Sequence, residues 1–233
     1  MNYTVTLSLL GLAQIGLGVA TGGIAGFFWA WSGASFLAVG MAYAGIGPRI
    51  FGKRPNGTLF WGNTLLLFPY MALTNLISWA KCRVRPDSKH EIVDGLFLGQ
   101  RLTNVRDLPE GTALVVDFTS ELHEPKEIRA GRQYLYVPTL DTHVPEDRLL
   151  RAAIDTIVRQ RDSGDGAVYV HCALGRGRSA MAVAGVLLAS GLAESVQEAE
   201  AMVRARRTGI RLSRAQKAAL ERYQQSSVEC RRD

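Results

Sequence analysis

Two kinds of apolar pattern divide the chain. Apolar and small residues run almost unbroken from Val5 to Phe51, and again from Leu59 to Ala80. About 20 apolar residues cross a bilayer as a helix. The first run is too long for one span, so spans are expected near 4–22, 25–46 and 59–80, with Gly22-Gly23 as a tight break and Arg49 to Gly57 as a polar loop. Trp29, Trp31, Trp61 and Trp79 lie near the proposed ends, where interfacial anchors concentrate. The Gly18-x-x-x-Gly22 and Gly22-x-x-x-Gly26 spacings would let helices approach closely. A signal peptide is the alternative for residues 1–22. It lacks a basic start and a clear cleavage site, and the later spans would remain.

Beyond residue 90 the apolar runs shorten and alternate with helical periodicity. Glu91 to Leu98, Ala113 to Phe118, Gln133 to Val137 and Ala167 to Val170 are rich in Val, Leu, Ile and Tyr and predict strands. Pro145 opens a helix that places Leu149, Leu150, Ile154, Ile157 and Val158 on one face. The turn Ser163-Gly164-Asp165-Gly166 leads into the fourth strand. The stretch from Ala180 to Ala189 is apolar nearly all round, which predicts a central buried helix ended by Gly191. Ser195-x-x-Glu198 and Ser213-x-x-Gln216 are capping boxes that mark two further helix starts. The last eight residues are expected to fray.

Charge sharpens the division. Residues 1–80 contain no Asp or Glu, and their only basic residues are Arg49, Lys53 and Arg54. The formal net charge of +6 is therefore split evenly, +3 on each side of residue 80. That balance is too mild and dispersed for a nucleic-acid partner, and no nucleic-acid motif accompanies it. Lys81, Arg83, Arg85 and Lys89 follow the last span, a basic linker over 81–90 that favours anionic headgroups and a cytoplasmic C-terminal domain. Arg49, Lys53 and Arg54 at the other end of that span pull the opposite way, and the reducing surroundings that would keep Cys172 a free thiol decide for the cytosol. The three cysteines, Cys82, Cys172 and Cys230, form no disulfide framework and no metal-type spacing, so neither metal nor cofactor is expected.

The chemistry concentrates in His171-Cys172-Ala173-Leu174-Gly175-Arg176-Gly177-Arg178-Ser179. Strand, tight loop and helix in succession aim backbone N–H groups and a helix N-terminus at an anion. The same field lowers a cysteine pKa. A phosphate cradled by residues 173–178 would sit against the Cys172 nucleophile, with Arg178 forking two hydrogen bonds to its oxygens. Ser179 is placed to donate to the sulfur when it leaves.

This nine-residue run resembles the dual-specificity branch of the cysteine phosphatases, whose motif is His-Cys-x5-Arg-Ser/Thr. The resemblance extends over about the last 150 residues, through Asp94-Gly95-Leu96-Phe97-Leu98-Gly99, Val137-Pro138-Thr139-Leu140-Asp141 and Ile210-Arg211-Leu212-Ser213-x-x-Gln216. It implies an α/β cysteine-phosphatase fold, a central mixed sheet flanked by helices, over 91–233; the apolar runs place a transmembrane region of two or three helices over 1–80 before it, with no counterpart in the family's minimal catalytic domain. The resemblance also carries the family's general acid onto Asp141, which lies 31 residues before Cys172 in a loop bounded by Pro138 and Pro145. Asp147 is the fallback, although acids are common in a first helical turn for dipole reasons alone. His171 is expected to support the loop. His90, His123 and His143 are expected at the surface, and Asp117 and Glu121 as loop or capping residues.

The implied activity is a membrane-anchored, cysteine-dependent phosphomonoester phosphatase. Lipid-directed members of the family carry an additional basic residue in the cysteine loop, as Arg176 is here. Phosphatidylglycerophosphate or a phosphoinositide is accordingly the expected substrate. The alternatives are a membrane-localised phosphotyrosine/phosphoserine protein phosphatase and a non-catalytic phosphate-binding scaffold.

Overall fold

Helix α1 (Tyr3–Thr21) doubles back on α2 (Gly23–Met41) at Gly22 and Gly23, whose φ angles are 61° and 58°. The computed structural model in which this hairpin is seen describes residues 3–84 and 89–229. Cys230 and residues 85–88 of the basic linker lie outside the described residues, as do the Cys82 and Arg83 side chains. The chain divides into two units, Met1–Val84 with Ser120–His123 and Arg85–Thr119 with Glu124–Asp233.

In the first unit, glycines seven positions apart bring two backbones into contact. A Cβ on Gly18 would meet the Gly26 carbonyl oxygen at 2.7 Å, and one on Gly33 would meet the Gly11 oxygen at 2.5 Å. The seam thus uses Gly11, Gly18, Gly26 and Gly33, while Gly22, central to the expected four-residue spacing, makes the turn. Away from the seam, Leu9, Leu12, Val19, Ile24 and Phe27 are exposed. A π-helical turn at Ala42–Ile46 extends α2, and α3 follows at Trp61–Val84. Pro69 inside α3 has no N–H for the Leu65 carbonyl, and the Trp31 indole donates to that oxygen instead, at 3.1 Å. Next to it, the Tyr70 N–H donates to Ser35 Oγ at 3.3 Å. Two of the three expected spans, Tyr3–Thr21 and Gly23–Ile46, are long and apolar enough to cross a membrane. The third helix carries Asn63, Pro69 and Asn75 and is more polar.

The second unit is a five-stranded mixed sheet. Where one strand is expected over 91–98, β1 (Lys89–Val93) and β2 (Leu96–Gln100) form an antiparallel hairpin across Asp94-Gly95. Strands β3 (Thr112–Asp117), β4 (Gln133–Tyr136) and β5 (Ala167–Cys172) complete the order β1-β2-β5-β3-β4, with every pair after the hairpin parallel. Side chains alternate across the pleat. Leu96, Leu98, Leu114, Val116, Val168 and Val170 join one core, with residues of α5 (Asp147–Ser163), α6 (Arg178–Ala189), α7 (Val196–Arg206) and α8 (Arg214–Glu229). Val115 and Tyr169 join the other, with Leu102, Leu108 and Ile128 of α4 (Lys126–Arg129).

Helix α6 is buried from Arg178 to Leu187, as its apolar composition predicts. Both serines cap their helices, Ser195 Oγ accepting from Glu198 N–H at 3.2 Å, but only the second box is reciprocal. Ser213 Oγ accepts from Gln216 N–H and Gln216 Oε1 accepts from Ser213 N–H, whereas Glu198 reaches one residue further back, to Glu194 N–H. Helix α8 continues to Glu229, into the stretch expected to fray.

Candidate active site

The central strand β5 ends on His171 and Cys172, and α6 begins at Arg178, so residues 173–177 must reverse within one tight loop. Such a loop can turn its N–H groups inward only if its carbonyls point outward and find donors there. They do. The Ala173 oxygen accepts from Arg101 N–H at 3.3 Å and the Gly177 oxygen from Met181 N–H at 2.8 Å. The Leu174 and Gly175 oxygens accept from the Arg207 side chain at 3.1 and 2.9 Å. Gly175, at φ 66°, is required twice over, because a Cβ there would lie 2.3 Å from the Gly99 oxygen.

Cys172 is buried at the floor of this loop. Burial pushes its thiol pKa up, but Arg178, the Ser179 hydroxyl and the N–H groups of Ser179 and Arg176 outweigh it, so the net shift is downward. Ser179 Oγ donates to Sγ at 3.3 Å. The Arg178 guanidinium, itself buried, donates through Nη1 to the Thr139 carbonyl at 3.0 Å, and its Nη2 lies 3.3 Å from Asp141 Oδ1. The structure therefore brings Cys172, Arg178, Ser179 and Asp141 around one point. Asp141 is on the open side, its side chain 64% exposed. The next residue, Thr142, has φ 62°, a left-handed conformation costly for a β-branched side chain. His143 is exposed, and its Nδ1 lies 3.2 Å from the Asp141 carbonyl.

Behind the loop is a buried charged layer. His171 Nε2 and Arg101 Nε each lie 3.7 Å from Glu124 Oε2. Ligand atoms of Asp117, Glu124 and His171 come within 4.8 Å of one another. Asp117 accepts from Thr119 N–H, Thr119 Oγ1 and Tyr134 O–H, all at 2.7 Å, the capping role expected of it. Burial first, then Asp117, pushes the Tyr134 phenol far above its ordinary range, so it remains a donor.

Two expectations change. Asp147, the fallback acid, is held bidentately by Arg222 at 2.7 and 2.8 Å on an exposed helix face, and that hydrogen bonding lowers its pKa. His90 is not a surface bystander, because its Nδ1 lies 3.0 Å from Arg207 Nη1. Sequence reasoning missed Glu124 and Arg207. Glu124 sits in an unremarkable polar loop, and Arg207 looks like one of several basic residues closing α7, so neither carried a local signal.

A sequence profile described as the dual specificity phosphatase catalytic domain matches residues 108–226. No curated protein sequence matches the chain. Among solved structures, PTPMT1 aligns with a TM-score of 0.55 and 24% identity, covering 62% of this chain and 99% of that one. PTPMT1 in complex with PI(5)P gives 0.56 and 24%, covering 63% and 100%. Tk-PTP in its active form gives 0.52 and 25%, covering 59% and 97%. In each case the alignment spans nearly all of the known protein and about three-fifths of this chain.

Proposed function

Because the chain belongs to the dual-specificity phosphatase family and is a cysteine-based phosphoric monoester hydrolase, we propose that it dephosphorylates a phospholipid headgroup while its N-terminal helices hold it in a bilayer. Phosphatidylglycerophosphate and phosphoinositides are the substrates in view. The catalytic domain faces the cytosol, and the membrane unit ends near residue 80.

Cys172 thiolate attacks phosphorus, forming the Sγ–P bond as the bond to the lipid oxygen breaks. Asp141 gives that oxygen its proton. Water then attacks phosphorus while Asp141 takes the water's proton, and the thiolate departs with the Ser179 hydroxyl donating to it. The N–H groups of residues 173–178 and the Arg178 guanidinium hold the equatorial oxygens throughout, and His171 braces the loop from behind.

One observation carries the lipid reading. Arg176, in the cysteine loop itself, has its Nε buried without a hydrogen-bond partner, a cation available to a second anionic group on the substrate. The exposed apolar faces of α1 and α2 support the bilayer, and PTPMT1 has been solved with a phosphoinositide, PI(5)P.

The test is phosphate release by the full chain in detergent from phosphatidylglycerophosphate, phosphoinositides and a phosphotyrosine peptide, with Cys172→Ser as control. Cysteine-dependent release from one lipid in preference to the peptide is expected. Release from the peptide alone would make this a membrane-localised protein phosphatase, and binding without turnover a scaffold.

A further inference from the structure

The outward carbonyls of the cysteine loop lead to a residue that no part of the motif contains. Arg207 follows directly on α7 and is only 3% exposed. Each of its three nitrogens is used. Nε donates to the Gly175 carbonyl at 2.9 Å, Nη2 to the Leu174 carbonyl at 3.1 Å, and Nη1 lies 3.0 Å from His90 Nδ1. A guanidinium only donates, so His90 Nδ1 is the acceptor. The segment beyond Arg207 is pinned as well, since Ile210 and Leu212 are buried and Leu212 N–H donates to Glu200 Oε1 at 3.0 Å. The arginine therefore meets the loop from a fixed base.

The peptide between Gly175 and Arg176 joins this arrangement to the chemistry. Its carbonyl end is held by Arg207 Nε, and its amide end, Arg176 N–H, is one of the donors that lower the Cys172 pKa. A peptide unit is planar and rigid. Holding one end fixes the direction of the other. A positive charge on the oxygen also polarises the plane and strengthens the N–H as a donor.

We propose that Arg207 is a positioning residue for catalysis, acting on the Cys172 thiolate and on bound phosphate through the Gly175–Arg176 peptide. It touches neither sulfur nor substrate. This rests on the reading of the Cys172 loop as the catalytic site. A purely structural tie between α7 and the loop would affect folding and leave the thiol of the folded protein unchanged.

The experiment uses the full chain in detergent, as wild type, Arg207→Met and Arg207→Lys. Three quantities are read: the thermal midpoint, kcat and KM on para-nitrophenyl phosphate, and the pH dependence of iodoacetamide alkylation at Cys172, followed by mass spectrometry of its peptide. Loss of one amide donor to a charged sulfur corresponds to about one pH unit. Arg207→Met is expected to raise the alkylation midpoint by about that much and to lower kcat/KM about tenfold or more. Arg207→Lys, which keeps a charge and one bond, is expected to fall between. Should Arg207→Met fail to fold, Arg207→Lys is read by the same two measures. A folded variant with the wild-type alkylation profile and kcat/KM within about twofold of wild type overturns the proposal, as does failure of both variants to fold. A wild type that releases no phosphate beyond its Cys172→Ser control would instead overturn the phosphatase reading, while the alkylation profiles still report on Arg207.

Discussion

Ser179 Oγ lies 3.3 Å from Cys172 Sγ, with both groups buried and the hydroxyl in the first turn of α6. The sulfur is a nucleophile in the first displacement and a leaving group in the second, and a donor aimed at it helps the departure. A hydrogen bond to a charged group contributes about 1.5–3 kcal/mol, roughly a tenfold to hundredfold change in rate. Ser179→Ala should therefore slow breakdown of the phosphocysteine by that factor more than its formation. Stopped-flow release of para-nitrophenol should show a burst in the variant that wild type lacks. Equal slowing of both steps would leave Ser179 as a support of the loop only.

The thiol's lowered pKa has a direct consequence for reactivity. Alkylation follows the thiolate fraction, so its rate should rise with pH and reach its midpoint below the ordinary thiol value of 9.0. As pH falls through the lowered pKa, alkylation and the first displacement should fall together. Arg178→Met removes the largest influence opposing burial and leaves burial in place, so the midpoint should move up. A midpoint that stays put would mean that the loop amides and Ser179 hold the thiolate without the arginine.

Asp141 Oδ1 lies 3.3 Å from Arg178 Nη2 and its side chain is exposed, so the carboxyl proposed as the general acid is at the open rim of the site. General acid catalysis contributes about 10²–10⁴-fold, most where the leaving oxygen is strongly basic. Asp141→Asn should cost an alkyl or lipid phosphate most of that factor, and para-nitrophenyl phosphate much less. Steady-state rates on the two substrates decide it, and a uniform loss would remove Asp141 as the acid.

How legible these features were in the sequence depends on how local their causes are. The cysteine loop was visible because His171 to Ser179 are contiguous and the loop's backbone is built from its own glycines. The buried α6 could be recognised from an unbroken apolar run, and α5 from one-sided periodicity. The β1–β2 hairpin was missed because apolar residues continue through its turn and Asp94-Gly95 is the sole punctuation. The glycine seam was legible in part, since Gly18 and Gly26 of the expected close contact do face each other, while Gly22 makes the turn and Gly11 and Gly33 were not singled out. Four-residue spacing is the familiar signal, while the turn at Gly22-Gly23 selects a seven-residue register. Arg207 and Glu124 could not have been found, because their significance lies in partners 32 and 47 positions away, Gly175 and His171.

The seam makes its own prediction. A Cβ on Gly26 would lie 2.4 Å from the Gly18 carbonyl oxygen, a backbone atom that no side-chain rotation relieves. Gly26→Ala should destabilise the α1–α2 hairpin by about 1–3 kcal/mol, the usual cost of overpacking. Gly16→Ala is the control, since nothing lies within 4 Å of the added atom. Protease protection of the N-terminal unit in detergent should fall for the first variant and hold for the second. Equal protection would mean the helices separate in solution.

Arg176 bears most directly on substrate. Its backbone N–H serves the Cys172 sulfur while its side-chain Nε remains buried without a partner. The two parts of the residue are thus separable by mutation. Arg176→Ala keeps the amide and deletes the cation, so the thiolate and the single phosphate of an aryl substrate should be little affected. A headgroup bearing a second anionic group should lose a charge-assisted hydrogen bond, roughly a tenfold to hundredfold loss in kcat/KM. The measurement is the ratio of kcat/KM on detergent-dispersed phosphatidylglycerophosphate or phosphoinositide to that on para-nitrophenyl phosphate, in wild type and variant. A ratio that falls with aryl turnover intact identifies the cation as the headgroup selector. Parallel losses on both substrates would make Arg176 a loop residue whose guanidinium supports the cradle, and selection for lipid would then have to come from elsewhere in the chain.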